Sequence, residues 1–128
     1  MRLLLDTHVL IWWLADKNLP ARATALIRDP GNHIYASAAS VWEVAIKASL
    51  GKIRIDPDEF VAALREGGFQ ELAVTSRHAT RVSQLPKHHR DPFDRLLVAQ
   101  AALEGLTLWT ADKAMKPYGS MVKVMATR

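Results

Sequence analysis

Residues Asp91–Asp112 read DPFDRLLVAQAALEGLTLWTAD, and this stretch decides what kind of fold the chain can adopt. Asp91 suits a helix N-cap, Pro92 the first helical position and Asp94 the third. An acid side chain can accept from the free N–H groups of a first turn, and proline has no N–H to leave unpaired there. An apolar helical pattern follows, and Gly105 suits a left-handed stop. Leu106 to Thr110 then read as a strand, and the stretch closes on Asp112. A helix of about 13 residues rises roughly 20 Å, and a strand of five or six residues covers roughly 17–20 Å. The returning strand therefore brings Asp112 back beside Asp94, so acids distant in sequence are gathered at one end of the fold.

Upstream, the same alternation of strand and helix recurs. Arg2–Leu5 is a short apolar run ending in Asp6, which suits a buried parallel strand. Val9 to Leu14 continues as a helical block carrying Trp12 and Trp13, which point about 100° apart and cannot share one contact. Pro20 opens a helix over Ala21–Arg28 that ends near Asp29-Pro30-Gly31. His33–Ala36 reads as a strand, and Ser37 caps a helix to about Leu50, with Gly51 its stop. Val41, Val44, Ala45 and Ala48 form one apolar stripe on that helix, and Trp42, Ile46 and Leu50 form a second. A helix apolar on two sides predicts burial on both, hence a homodimer or a partner surface.

Asp56-Pro57-Asp58-Glu59 opens another helix, to about Glu66, in the same manner as the stretch at Asp91. Gly67-Gly68 stops it, and Phe69 to Val74 reads as an irregular strand. Thr75 caps a helix that Pro86 ends, and Lys87-His88-His89-Arg90 forms a basic link into the central stretch. A short helical turn follows Asp112, and Val122–Met125 reads as the last strand. The alternation predicts an α/β fold, a three-layer α/β/α sandwich on a mainly parallel sheet, in one domain over residues 1–128.

The chain has 128 residues, 49% of them hydrophobic, enough for one good core. It has no cysteine, which excludes disulfides and thiolate metal sites. A formal charge of +4 leans moderately toward an anionic partner. No apolar run is long enough to span a membrane, and Leu3-Leu4-Leu5 lacks a signal-peptide pattern, so a cytoplasmic location is the expectation.

In a parallel sheet flanked by helices, the functional crevice lies outside the carboxyl ends of the strands. Asp6 follows the first strand and Asp112 a later one; Asp94 lies in the first turn of a helix starting at that end. Glu43 lies in the second turn of the helix after His33–Ala36. Each has a plain structural explanation. Asp6, Asp94 and Asp112 can cap or flank helix starts, and Glu43 can pair with Lys47 at i+4. Four separate local roles, however, need not share one end of a sheet. Clustered carboxylates repel, by about 4 kcal/mol per pair at 4 Å and an effective dielectric of 20. A hard cation would relieve that repulsion, and oxygen ligands favour Mg²⁺ or Mn²⁺. Such an ion can activate water against a phosphodiester. Lys87, Arg90, Arg95, Lys113 and Lys116 could hold a polyanionic backbone nearby, or simply form a solvated face. The histidines are not spaced for a shared zinc, since His88 and His89 are adjacent and His8, His33 and His78 stand alone; they read as structural or substrate-facing.

Three pieces, LLLDTHVLIWWL, SAASVWEVAIKASLGKI and HHRDPFDRLLVAQAALEGLTLWTADKAM, together make the chain resemble a PIN-domain ribonuclease of the VapC toxin type. The resemblance implies an acidic quartet of Asp6, Glu43, Asp94 and Asp112, with Thr110 supporting Asp112 and Asp91 an additional acid beside them. It also implies Mg²⁺ or Mn²⁺, cleavage of RNA, a homodimer, and silencing by a cognate antitoxin whose tail enters the active-site groove. Three other readings remain at this level: a PIN-like or flap-type nuclease acting on DNA, a phosphoacceptor signalling domain, and a binding module without activity. The second would want an acid at the end of the middle strand, where Tyr35-Ala36-Ser37 stands instead.

Overall fold

Leu3, Leu4 and Leu5 are completely buried, and successive side chains enter opposite faces of the sheet. In the computed structural model, which describes residues 1–125, they belong to β1 (Arg2–Leu5), the middle strand of a five-stranded sheet. Leu3 and Leu5 join one hydrophobic cluster, and Leu4 joins the other. A strand covered on both faces needs apolar residues at every position, which is why the run does not alternate with polar residues.

The helices alternate with the strands as the sequence implies. After β1 come α1 (Thr7–Ala15), α2 (Ala21–Arg28), β2 (His33–Ser37), α3 (Ala38–Ser49) and α4 (Pro57–Glu66). There follow β3 (Gln70–Leu72), α5 (Ser76–Arg81), α6 (Pro92–Glu104), β4 (Thr107–Thr110) and β5 (Val122–Val124). Short 3₁₀ turns occupy Val82–Gln84 and Lys113–Tyr118. All strand pairings are parallel, in the order β3-β2-β1-β4-β5. One face of the sheet is covered by Val9 and Leu10 of α1, Ile27 of α2, Val44 of α3 and Phe60 and Leu64 of α4. Leu97, Val98 and Ala101 of α6, with Met115 and Tyr118, cover the other. This is the three-layer sandwich.

Two sequence expectations change. The segment from Thr75 to Pro86 is not one helix. It breaks into α5 and a 3₁₀ turn, and Leu85 before the proline is extended (ψ 146°), as the proline ring disfavours helical geometry in the residue preceding it. The second change is topological. The middle strand is β1, followed at once by Asp6, and not His33–Ser37, so the absence of an acid at Ser37 does not bear on a phosphoacceptor reading.

The strand order places the switch point of the sheet between β1 and β4, where the chain leaves the central pair in opposite directions. Crevices form there because the flanking connections diverge. The register pairs Leu5 with Trp109, and the Asp6 N–H donates to the Trp109 carbonyl at 3.0 Å. Asp6 and Thr110 therefore emerge side by side at the carboxyl end.

Candidate active site

Asp6 is buried at the end of β1 and caps α1, its Oδ1 accepting from the Val9 N–H at 2.9 Å. Its Oδ2 accepts a short hydrogen bond from the Thr110 hydroxyl. That hydroxyl in turn accepts from the Asp112 N–H at 3.0 Å, so one buried threonine joins two acids from opposite ends of the chain. Asp112 follows the same division of labour. Its Oδ1 caps the 3₁₀ turn by accepting from Ala114 N–H at 2.9 Å, leaving Oδ2 to face Asp94 and His89. The capping and site readings of these two acids therefore both hold, one oxygen serving each.

Asp91 is the N-cap of α6, with Oδ1 accepting from the N–H groups of Phe93 (2.8 Å) and Asp94 (3.3 Å). Asp94, one turn in, is not held by a cap of its own. His89 lies between Asp94 and Asp112, its Nε2 at 2.9 Å from Asp112 Oδ2 and 3.6 Å from Asp94 Oδ2. Ligand-type atoms of His89, Asp94 and Asp112 all lie within 4.8 Å of one another. Asp6, His8, Trp12, His89, Asp91, Asp94, Ala111 and Asp112 line an open groove of about 460 Å³.

The charges report the crowding. Burial, then the neighbouring charges of Asp91 and Asp6, push the Asp94 carboxyl up to about 7, with His89 opposing and Glu43 adding to the rise. Burial also raises Asp6, against the hydrogen bonds from Thr110 and Val9. For Asp112 partial burial acts upward, but bonds from the Ala114 N–H and His89, and the charge of His89, outweigh it and hold the group below the usual range. A cation would favour the ionised form of every acid in this set. The donors present thus suit a divalent ion: Asp94 and Asp112 at the front, with Asp6 behind them.

Glu43 is near enough for its charge to act on Asp6 and Asp94, but its place differs from theirs. It is buried, does not line the groove, and pairs with Lys47 Nζ at 2.9 Å. The local i+4 pair thus forms, with the Glu43 carboxylate buried and Lys47 reaching it from a partly exposed position. Of the five bases, Lys87, Arg90, Lys113 and Lys116 are exposed, and none has a carboxylate within 4 Å among the described residues. Arg95 is turned inward instead. It donates to the carbonyls of Val82 (3.0 Å) and Leu85 (3.3 Å), which the broken helix before Pro86 leaves available. It clasps α6 to that segment, and substrate contact is not what its guanidinium does here. His89, which the sequence places only among the structural or substrate-facing histidines, stands here between two of the acids. Its only signal was position, two residues before the α6 cap.

Residues 3–119 match the PIN domain family. The chain belongs to the PIN-domain family. Among curated proteins, this PIN domain is similar to ribonuclease VapC22 of Mycobacterium tuberculosis (strain ATCC 25618 / H37Rv), 28% identical over 118 residues that cover 90% of each chain. Among solved structures it resembles VapBC2 from Rickettsia felis bound to a DNA fragment from its promoter. That match has a TM-score of 0.72 at 14% identity over 98% of both chains. It also resembles a toxin–antitoxin complex from Klebsiella pneumoniae, with a TM-score of 0.67 at 19% identity over 94% of this chain and 95% of that one.

Proposed function

We propose that this PIN domain is a metal-dependent endoribonuclease and the toxin of a toxin–antitoxin pair, acting as a single domain over residues 1–128. The observation that carries the reading is the meeting of Asp94 and Asp112 beside Asp6 in one groove at the switch point. Its likeness to a ribonuclease supports the substrate class. Asp6, Asp94 and Asp112 would hold Mg²⁺ or Mn²⁺, with Glu43 acting from behind through its charge on Asp94. A cation so held would polarise a phosphodiester and lower the pKa of attacking water. The remaining work belongs to the chain. Thr110 holds Asp6 and the Asp112 backbone in register; Asp91 fixes the start of α6; and Lys87, Arg90, Lys113 and Lys116 attract and align the phosphate backbone.

The test is cleavage of single-stranded RNA and of DNA of the same sequence, with Mg²⁺ or Mn²⁺ and with EDTA. Cleavage of RNA that stops with EDTA is the expected result. Cleavage of DNA alone would move the chain to the flap-type reading, and activity unaffected by EDTA would remove the metal. Partner binding rests on exposed apolar surface. Trp42 and Leu50, both 62% exposed, extend the second stripe of α3 into solvent, which supports a homodimer. Trp12 lines both the acidic groove and a second hollow of about 430 Å³ with Trp13, Leu19 and Arg28, so its ring stands between two surfaces on which an antitoxin segment would pack. Light scattering at high micromolar concentration, with and without the antitoxin, reads both claims. A monomer alone sinks the first, and no mass gain with the antitoxin sinks the second.

A further inference from the structure

An N-terminal capping box has two halves. The cap side chain accepts from the N–H at the third helical position, and the side chain at that position accepts from the N–H of the cap. α5 has both, since Thr75 Oγ1 accepts from His78 N–H (3.3 Å) and His78 Nδ1 accepts from Thr75 N–H (3.0 Å). α6 has the first half in Asp91 and Asp94, and Asp94 has the oxygen to supply the second. It does not supply it. The Asp91 N–H goes instead to Nδ1 of His89, at 3.0 Å.

That substitution has two effects. Asp94 is released from the helix start, and its carboxylate is left to enter the groove. The imidazole is also fixed in one tautomer. A backbone N–H can only donate, so Nδ1 must carry the lone pair and the neutral ring bears its proton on Nε2. Turning the ring over would set a C–H against the Asp91 N–H and leave that donor unpaired. Nε2–H is therefore a donor aimed at Asp112 Oδ2, 2.9 Å away, with Asp94 Oδ2 at 3.6 Å. A nitrogen committed as a donor offers no lone pair to a cation. Three ligand-type atoms within 4.8 Å look like a mixed nitrogen and oxygen site, but the hydrogen bonding makes it an oxygen site with an imidazole beside it.

We propose that His89 is a positioning residue of the nuclease site: it takes the capping-box bond in place of Asp94, freeing that acid for the cation, and aims Asp112 through Nε2–H without itself ligating. This rests on the metal-dependent reading above. Two side chains separate its two bonds. Asparagine can accept the Asp91 N–H through a local turn but cannot reach Asp112, and glutamine can reach Asp112 but cannot take the Asp91 N–H.

The test uses the intact chain. Long-range ¹⁵N–¹H NMR of the metal-free protein should show His89 as the Nε2–H tautomer. Mn²⁺ titration of wild type, His89→Ala, His89→Asn and His89→Gln should rank affinity wild type first, Asn and Gln intermediate, and Ala 10–100-fold weaker, the usual range for residues that orient ligands. Pulsed EPR of the Mn²⁺-loaded wild type should show no directly bound ¹⁴N. The opposite tautomer, a bound ¹⁴N lost in His89→Ala, or equal affinity in all four proteins would each overturn the proposal. The nuclease reading fails separately, through an Asp94→Asn variant that binds Mn²⁺ as well as wild type; tautomer and EPR results for His89 do not touch it.

Discussion

The starts of α4 and α6 are built from the same local instruction and end in different uses. Asp56-Pro57-Asp58-Glu59 and Asp91-Pro92-Phe93-Asp94 each put an acid at the cap, proline at the first position and an acid at the third. Even the cap bonds agree. Asp56 Oδ1 accepts from the second and third N–H groups at 2.8 and 3.3 Å, and Asp91 Oδ1 does so at 2.8 and 3.3 Å. Yet Glu59 is exposed to solvent, while Asp94 is half-buried with a carboxyl pushed up to about 7. Local geometry being equal, the difference comes from what lies opposite. Asp94 faces Asp6 and Asp112 at the ends of β1 and β4, whereas Glu59 borders an open hollow with Ile11, Leu14 and Arg54. An acid at the third helical position is thus a helix signal first, and a site residue only where the fold supplies other acids.

The sharpest way to break this comparison is to neutralise both third-position acids. Asp94→Asn should lose about 3 kcal/mol or more of transition-state stabilisation, roughly 100-fold or more in metal-dependent cleavage. Glu59→Gln should leave the rate unchanged. Asp6→Asn and Asp112→Asn should fall with Asp94→Asn while remaining folded, because repulsion in the metal-free groove decreases. Near wild-type cleavage by any of these three variants would remove that acid from the site.

A second contrast is in pH. With its carboxyl at about 7 in the fold against 3.8 ordinarily, Asp94 holds a proton in the native chain that the unfolded chain has already released. Metal-free stability from this group is therefore full below about pH 4 and declines as the pH rises to about 7, with buried Asp6 acting in the same direction. Asp112, held low, acts only at more acidic pH, where its ionised form is lost. Melting curves in EDTA should show the transition temperature falling between pH 5 and 7 by several degrees, with the fall reduced in Asp94→Asn and reversed by Mn²⁺. Glu59→Gln should show the wild-type profile. A melting temperature that rises across that window in wild type would contradict the burial of an uncompensated acid.

The smallest effect tests where the two helix starts agree. Asp56→Ala and Asp91→Ala should each cost about 1 kcal/mol, a shift of a few degrees, and Asp91→Ser should recover most of it as a substitute cap. Asp91→Ala should retain appreciable cleavage. If Asp91→Ser is fully stable but inactive while Asp94→Asn still cleaves, the ligand is Asp91 and the two acids exchange roles.

By itself the sequence determined where most of the helices start and where α6 stops. Ser37, Asp56, Thr75 and Asp91 all cap the helices they were expected to cap, and Gly105 ends α6 in the left-handed conformation with φ 67°. These are bonds between groups within a few residues of one another, so short spacings specify them completely. The strand-helix alternation and the side of the sheet on which Asp6, Asp94 and Asp112 would meet were legible for the same reason. Tertiary structure alone decided which side chains share the groove. It drew in His89, kept Glu43 out of the groove lining while the i+4 pair with Lys47 formed as the spacing allows, and turned Arg95 onto the carbonyls before Pro86. Those outcomes depend on the register that sets Leu5 against Trp109 and on the packing of α6 behind it. That register joins residues about a hundred positions apart, and no local spacing encodes which atoms of the side chains around it will be left free when they arrive.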